Sequence, residues 1–321
     1  MSSTEPAVWV VVLDYNTGPV LSTCLESFLS VQSPPLTVLL VDNASSDGLA
    51  AREAARLPGI RYLRLEQNTG YCGGNNAGID LALGGGAEFV LVVNPDTRVI
   101  NPDFVAELVS AMRRHPDAGI VGPLVHFRVP GTLQRTSCRL PHLRNKLRGW
   151  ATSRGRPEPE RPVTDARVET LNGVCVLLRA AALRDVGAFD PTIFMYGEDW
   201  DLTMRMEKRG WGSYQIPVDS IVHLQKSDGY DFLSMTNFLL KRNAPYVLLK
   251  HGHRADACLV AVGGWFLSAA RMLRMLLAGR AHESMRYARF LARLTRAHCM
   301  TFLGRTNHAA FGPPAVAWIK P

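Results

Sequence analysis

Short apolar runs alternate with stretches of helical length through the first 125 residues. Residues 8–13 (VWVVVL), 37–41 (TVLLV), 60–65 (IRYLRL) and 88–93 (EFVLVV) predict strands. Three of these are near-continuous Val/Leu runs, the pattern of strands covered on both faces in a parallel sheet. Residues 20–31, 49–57 and 75–83 predict helices between them, and 104–115 predicts another, ended by Pro116. Repeated strand–helix alternation implies a doubly wound α/β sheet with ligands at the carboxyl ends of its strands.

The pattern then changes twice. Residues 128–167 are Arg- and Pro-rich and weakly periodic, with RGRPEPERP at 154–162. A loop of that length in a compact domain is expected to be a mobile excursion, serving as a lid or disordered. Regularity returns with a strand at 170–179, a helix at 180–186, a polar helix near 199–209 and a strand at 220–222. From residue 232 onward the pattern is helical. Asp256 is followed by fourteen residues without a charge, and Arg271 and Arg274 then interrupt an apolar stretch reaching Ala278. About 18 uncharged residues make a transmembrane helix the default, so an interfacial helix with snorkelling arginines is expected here. Arg286, Arg289, Arg293 and Arg296 recur at spacings of 3, 4 and 3, on one helical face. The predicted division is a body over 1–232 and a helical appendage over 233–321.

Charge sharpens that division. The 321 residues carry a formal net charge of +8, and 47% of them are hydrophobic, enough to exclude disorder as the general state. Residues 233–321 hold 13 Lys/Arg against 2 Asp/Glu, whereas the preceding 232 hold 23 against 26. A mildly acidic body with a basic tail implies an anionic partner for the tail: a membrane surface, a phosphate-bearing lipid or nucleic acid. Nucleic acid is not expected, because the arginines lie on apolar helices instead of among stacking aromatics. The six cysteines form no CxxC pair, which argues against a disulfide scaffold or structural zinc and for a reducing compartment. The first sixteen residues lack the basic and long apolar regions of a secretory signal, so a cytosolic location is expected.

Four segments carry candidate chemistry. Asp42 opens DNASSDG directly after a predicted strand, where α/β folds bind nucleotides. It either accepts from a base N–H or ribose hydroxyl or caps the next helix. Residues 68–78, NTGYCGGNNAG, form a strand-to-helix turn dense in Gly and Asn. Such a turn presents N–H groups to phosphate, or simply needs positive φ, and it lacks the GxGxxG fingerprint. Asn94-Pro95-Asp96 follows the strand at 88–93. An acid there holds a divalent cation against a diphosphate, and a Pro-Asp β-turn is the plain alternative. Residues 194–205, FMYGEDWDLTMR, pack Glu198, Asp199 and Asp201 among aromatics. Apolar surroundings raise carboxyl pKa values and suit a general base, while an acidic first helical turn also suits the helix dipole. His223, after the strand at 220–222, is a candidate metal ligand or a structural histidine.

In this order, VVVLDYN, VDNASSDG, NTGYCGGNNAG, NPD and LNGVCVLLRAAALRDVGAFDPTIFMYGEDWDL resemble glycosyltransferase family 2, most closely its bacterial rhamnosyltransferase-like branch, over roughly residues 8–250. The resemblance implies a GT-A-type α/β fold: a doubly wound mixed sheet with a Rossmann-like nucleotide-binding half, followed here by the helical appendage. It places Tyr15 and Asn16 near the base, Asp42 on it, and Asn68, Gly70, Gly74, Asn75, Asn76 and Asn94 around the nucleotide-sugar. Gly173 and Trp200 border the acceptor side, Asp199 of the Glu198–Asp199 pair is the catalytic base, and Asp96 with His223 faces Mg²⁺ or Mn²⁺ and the diphosphate.

The implied reaction is inverting, single-displacement transfer of a sugar, first of all L-rhamnose from dTDP-rhamnose, to a glycan or polyprenyl-diphosphate-linked acceptor. Another donor, such as UDP-galactofuranose or UDP-GlcNAc, or a natural-product acceptor keeps the same fold. A non-catalytic module binding anionic surfaces is the rival of another class. Two residues depart from the family pattern. Asn94 replaces the first acid of the DxD, leaving one charge fewer for metal, and Asp14 replaces the small hydroxyl residue usual before Tyr-Asn. The basic appendage implies a peripheral position on the anionic inner face of the plasma membrane.

Overall fold

A computed structural model describes residues 6–142, 144–145, 161–224 and 233–306. They form two compact units. The first comprises residues 6–139, 161–190 and 202–224; the second comprises 140–142, 144–145, 191–201 and 233–306. The helical appendage thus shares its unit with residues 191–201, the segment that carries Glu198 and Asp199.

In the first unit, β1 (Val8–Asp14), β2 (Leu36–Asp42), β3 (Ile60–Arg64) and β4 (Phe89–Val93) start and end within a residue or two of the apolar runs that predict them. They pair in parallel in the order β3-β2-β1-β4. The sheet continues through β11 (Cys175–Arg179), β6 (Ala118–Phe127), β12 (Gly212–His223) and β5 (Thr97–Val99). β11 runs against both β4 and β6, and β12 lies parallel to β6. The carboxyl ends of β1, β2, β4, β6 and β12 therefore share one edge of the sheet.

The strands read as unbroken apolar runs because both sheet faces are covered. On one face, α1 (Val20–Leu29) and α4 (Phe104–Arg114) bring Leu21, Leu25, Phe28, Phe104 and Leu108 into the core with Val10, Val12 and Leu91. On the other, α3 (Gly70–Gly84) packs closely on β1: a Cβ on Gly74 would lie 2.3 Å from Leu13, and one on Gly78 would lie 2.5 Å from Val11. Helix-to-sheet packing thus requires two glycines of NTGYCGGNNAG, and α3 begins five residues ahead of the predicted start. Helix α2 (Leu49–Arg56) lies at its predicted place.

Two strands are larger than their sequence signal. β6 contains Gly119, Gly122 and Pro123, and β12 contains Pro217. Each proline lacks the N–H of a ladder bond. Their ladder skips from Gln215↔Gly122 to Asp219↔Leu124, so the irregularity on β12 falls beside both prolines. The stretch expected to be a structureless excursion contains β7 (Leu133–Gln134), β8 (Ser137–Cys138) and β9 (Ala166–Val168). Residues 143 and 146–160, with most of RGRPEPERP, lie outside the described residues. The predicted strand at 170–179 divides into β10 (Thr170–Leu171) and β11, because Asn172 N–H turns to Thr136 O at 2.9 Å. α5 (Ala180–Val186) follows, and α6 (Glu198–Lys208) begins with the acidic turn. All six cysteines are free.

The second unit is built on α7 (Met235–Lys250), α8 (Arg254–Leu277) and α9 (Ala281–Phe302). Pro245 lies inside α7 and cannot donate to the carbonyl four residues back, that of Lys241. His298 of α9 takes over that role, its Nε2 lying 3.0 Å from Lys241 O, and burial lowers its pKa toward the neutral form this contact uses. Helix α8 buries Ala257, Val260, Ala261 and Ser268 on one side. By length and composition it also meets the requirement for crossing a membrane, which the count of uncharged residues alone did not indicate.

Candidate active site

At the ends of β1 and β2, two buried carboxylates organise the loops. Asp14 accepts from Ser45 Oγ at 2.8 Å and from Thr17 N–H at 3.2 Å. Asn16 N–H donates back to Ser45 Oγ, and Asn16 Oδ1 accepts from Ser46 N–H at 2.8 Å. The unusual acid before Tyr15-Asn16 therefore ties the β1 loop to the β2 loop, and Tyr15 and Asn16 remain exposed beside it. Asn16 and Ala44 both hold positive φ, a strained conformation for non-glycine residues that concentrates at functional loops. Asp42 is fully buried. Its Oδ1 accepts from Ser45 N–H at 2.7 Å, and its Oδ2 accepts from Tyr62 OH at 2.9 Å and from Arg64. The carboxylate expected to meet a base is thus also held by Tyr62 and Arg64, two residues without a motif signal.

The Asn68–Asn76 segment serves two purposes. Asn68 Oδ1 accepts from Gly70 N–H and from Asn43 Nδ2, and Asn43 Oδ1 accepts from Thr69 N–H, so Asn43 fixes the entry to α3. Gly70 supplies a positive φ at the first helical residue. The remaining residues have internal partners. Gly74 faces Leu13, Asn75 Nδ2 donates to Tyr71 O, and Asn76 clamps both the N–H and the carbonyl of Phe189. Tyr71 OH donates to Gly173 O at 2.8 Å, and a Cβ on Gly173 would lie 2.3 Å from that hydroxyl. Gly173 is therefore joined to the Asn-Gly segment, and Asn94 N–H meets Val174 O next to it.

Beyond β4, Asp96 and His223 come together. His223 Nε2 lies 3.1 Å and 3.0 Å from the two Asp96 carboxylate oxygens, and Leu224 N–H donates to Asp96 O. His223 Nδ1 lies 3.0 Å from Gln134 Oε1 on β7, which accepts from it. With Nδ1 turned to Gln134, Nε2 and the Asp96 carboxylate face one point, as two ligands of a shared cation would. Among the described residues no group of three or more His, Cys, Asp and Glu could hold a metal. Two protein ligands suit an ion that takes its other oxygens from a diphosphate.

In the second unit, Glu198 and Asp199 open α6. Burial, and then the neighbouring Asp199 charge, push the Glu198 carboxyl far above the ordinary carboxylate range. Burial raises Asp199 as well, and its Oδ1 accepts from Trp200 N–H at 2.8 Å. Glu198 Oε2 is buried with no hydrogen-bond partner among the described residues, as suits a neutral acid. Asp201, the third acid, is committed elsewhere: Lys250 Nζ and His251 Nε2 approach it at 2.8 Å and 2.9 Å. Trp200 packs on the cluster of Ala244, Leu248, Ala257 and Val260.

The mixed sheet, with loops gathered beyond its parallel strand ends, has the GT-A fold of glycosyltransferases. The chain belongs to glycosyltransferase family 2: the family model described as "Glycosyltransferase like family 2" matches residues 6–242. It is rhamnosyltransferase-like within that family. An N-acetylglucosaminyl-diphospho-decaprenol L-rhamnosyltransferase of Mycobacterium tuberculosis is 33% identical over 305 residues, covering 86% of this chain and 92% of the relative. A low-salt glycan biosynthesis hexosyltransferase of Haloferax volcanii is 29% identical over 207 residues, 61% of each chain. Among solved structures, S. aureus TarS 1-349 in complex with UDP-GlcNAc has a TM-score of 0.57 at 17% identity, over 97% of this chain and 91% of that one. A Pyrobaculum calidifontis mannosyltransferase in complex with GDP-Man and Mn²⁺ has a TM-score of 0.55 at 17% identity, over 94% and 89%.

Proposed function

We propose that the enzyme transfers L-rhamnose from dTDP-rhamnose to a polyprenyl-diphosphate-linked GlcNAc acceptor, with inversion at the anomeric carbon. The observation that carries the mechanism is the Glu198–Asp199 pair at the start of α6, with Glu198 buried and Asp199 half-buried beside it. Two adjacent acids with raised pKa values separate their roles, one held neutral and one available as a base near neutral pH. Asp199 takes the proton of the acceptor hydroxyl as its oxygen bonds to the anomeric carbon and the bond to the diphosphate oxygen breaks. Asp42, with Tyr62 and Arg64, forms the base-recognising end, beside Tyr15 and Asn16. Asn68, Gly70 and Asn94 border the nucleotide-sugar, and Gly173 and Trp200 serve the acceptor side. The sugar and the acceptor follow the name of the mycobacterial relative, an N-acetylglucosaminyl-diphospho-decaprenol L-rhamnosyltransferase, and dTDP is the carrier that the family resemblance implies.

Asp96 and His223 would hold Mg²⁺ or Mn²⁺, with Gln134 fixing the imidazole tautomer. Bound there, the ion offsets negative charge on the leaving diphosphate. The helical unit places the enzyme on an anionic membrane. On α8, Leu259, Val262, Phe266, Leu273 and Leu277 are exposed at spacings of 3, 4, 7 and 4, forming one stripe away from the buried side. Exposed Arg286, Arg289, Arg293 and Arg296 on α9 supply the matching positive charge.

Asp199→Asn tests the mechanism. Turnover should fall by about 10²–10⁴ with nucleoside-diphosphate binding retained. Wild-type-like turnover would remove Asp199 as the base.

A further inference from the structure

The turn immediately before the acid pair is strained. Tyr196 has φ of 65° and Gly197 has φ of 109°, two consecutive residues in the left-handed half of backbone space, the first of them not glycine. Such a conformation is unfavourable for a side-chain-bearing residue and persists only where the surroundings over-determine it. It also sets the direction of α6, because Gly197 O accepts the Asp201 N–H that opens the helix.

What holds the turn comes from α7. Asn243 Nδ2 donates to two successive carbonyls, Met195 O at 2.9 Å and Tyr196 O at 2.6 Å. Arg242 Nε donates to Asn243 Oδ1 at 2.8 Å, which fixes the amide with its nitrogen toward the turn. Both side chains are fully buried. The fit is close, since a Cβ on Gly197 would lie 3.3 Å from Asn243 Cβ and 3.3 Å from the Trp200 ring. Further along the same helix, Lys250 and the following His251 hold Asp201, so α7 and its end grip the Glu198–Asp199 segment from both sides.

We propose that Asn243 is a positioning residue for transfer: its amide pins the Met195–Gly197 turn and so aims the Asp199 carboxylate. The inference rests on Asp199 being the base. It gives the C-terminal helices a part in the chemistry that is separate from any contact with lipid. A serine cannot reproduce the clamp, having one O–H for two carbonyls, and an aspartate presents a carboxylate to both of them.

The test is a double-mutant cycle in the full-length chain, with Asn243→Asp, Asn243→Ser, Asp199→Asn and each pair combined. Turnover and dTDP binding by calorimetry are measured on the same preparations. The single Asn243 variants are expected to lose about 10²-fold in kcat, the scale set by misplacing a reacting group by about 1 Å, while dTDP affinity stays within about twofold. Combined with Asp199→Asn they should cost nothing further, because the group they aim is already gone. Additive losses, or full kcat in the Asn243 variants beside a dead Asp199→Asn, would overturn the proposal and leave the base assignment standing. An active Asp199→Asn would instead remove the base assignment itself. Loss of fold in both Asn243 variants would make the residue part of the core alone and overturn the proposal too.

Discussion

Replacing Asp42 with Asn exchanges one oxygen for an NH₂ group at a side chain with no solvent exposure. The remaining oxygen still accepts from Ser45 N–H, now at 2.7 Å. The NH₂ then points at Tyr62 OH, which donates to Oδ2 at 2.9 Å, and at the Arg64 guanidinium. The tyrosine hydroxyl can turn and accept, so what is lost is the charge-assisted part of that bond. Hydrogen bonds to charged groups contribute about 1.5–3 kcal/mol against about 0.5–1.5 kcal/mol for neutral ones, so about 1 kcal/mol is the expected cost. The Arg64 pair adds little to this, because its side chain is half exposed and solvent screens it. A loss of this size lowers the thermal midpoint by about 2–4 °C for a domain of this class. Because the same carboxylate fixes the β2 loop, affinity for dTDP should weaken about tenfold by calorimetry. Arg64→Met, examined alongside, should leave the midpoint nearly unchanged. A variant as stable as the parent refutes the reading of the buried carboxylate as a structural hub. A destabilised variant with undiminished dTDP affinity confines Asp42 to scaffolding and removes it from base recognition.

Other expectations follow from the same residues. Burial keeps Asp199 protonated to higher pH than an exposed aspartate, and a base works only when ionised. The kcat profile should therefore rise with pH through a limb above the usual value of about 4, and Glu198→Gln, which mimics the neutral acid, should keep turnover within about fivefold. A limb at the ordinary carboxylate value contradicts this. Gly173→Ala drives a methyl to 2.3 Å from Tyr71 OH, so urea unfolding should show a loss of about 1–3 kcal/mol together with reduced transfer. Chelator should silence the enzyme and Mg²⁺ or Mn²⁺ restore it, with Asp96→Ala abolishing the rescue; full activity in chelator leaves His223 and Asp96 as a structural pair. Phe266→Glu or Leu273→Glu should reduce flotation with phosphatidylglycerol vesicles, and high salt should release the parent protein. Protein extractable only by detergent means that α8 spans the bilayer.

The parts of this molecule visible in its sequence are those decided by local pattern. β1, β2 and β4 are covered on both faces, so their apolar runs are continuous and their limits clear. The loops after them are dense in Asp, Asn and Gly because carboxylates, amides and positive-φ residues tie them together. β6 gives no local strand signal because Gly119, Gly122 and Pro123 break an apolar run whose strand character comes from β11 and β12 on either side. The NTGYCGGNNAG segment reads as a turn, yet Gly74 and Gly78 are demanded by α3 lying against β1. Gln134 and Asn243 carry no spacing signal, since each acts on residues far away in sequence: His223 lies 89 positions from Gln134, and Tyr196 lies 47 from Asn243. The membership of residues 191–201 in the helical unit has the same origin, in tertiary contact and not in local pattern.

The proposed reaction is rhamnosyl transfer to a lipid-linked amino sugar. Its most direct test incubates the purified full-length chain and Mg²⁺ with a short-chain polyprenyl-diphosphate-GlcNAc and, separately, dTDP-rhamnose, UDP-galactofuranose, UDP-GlcNAc and GDP-mannose. Products are read by mass spectrometry. A gain of one deoxyhexose is expected with dTDP-rhamnose alone, and its absence in Asp199→Asn. Transfer from a UDP- or GDP-sugar in preference to dTDP-rhamnose, or no transfer to the polyprenyl acceptor from any donor, contradicts it.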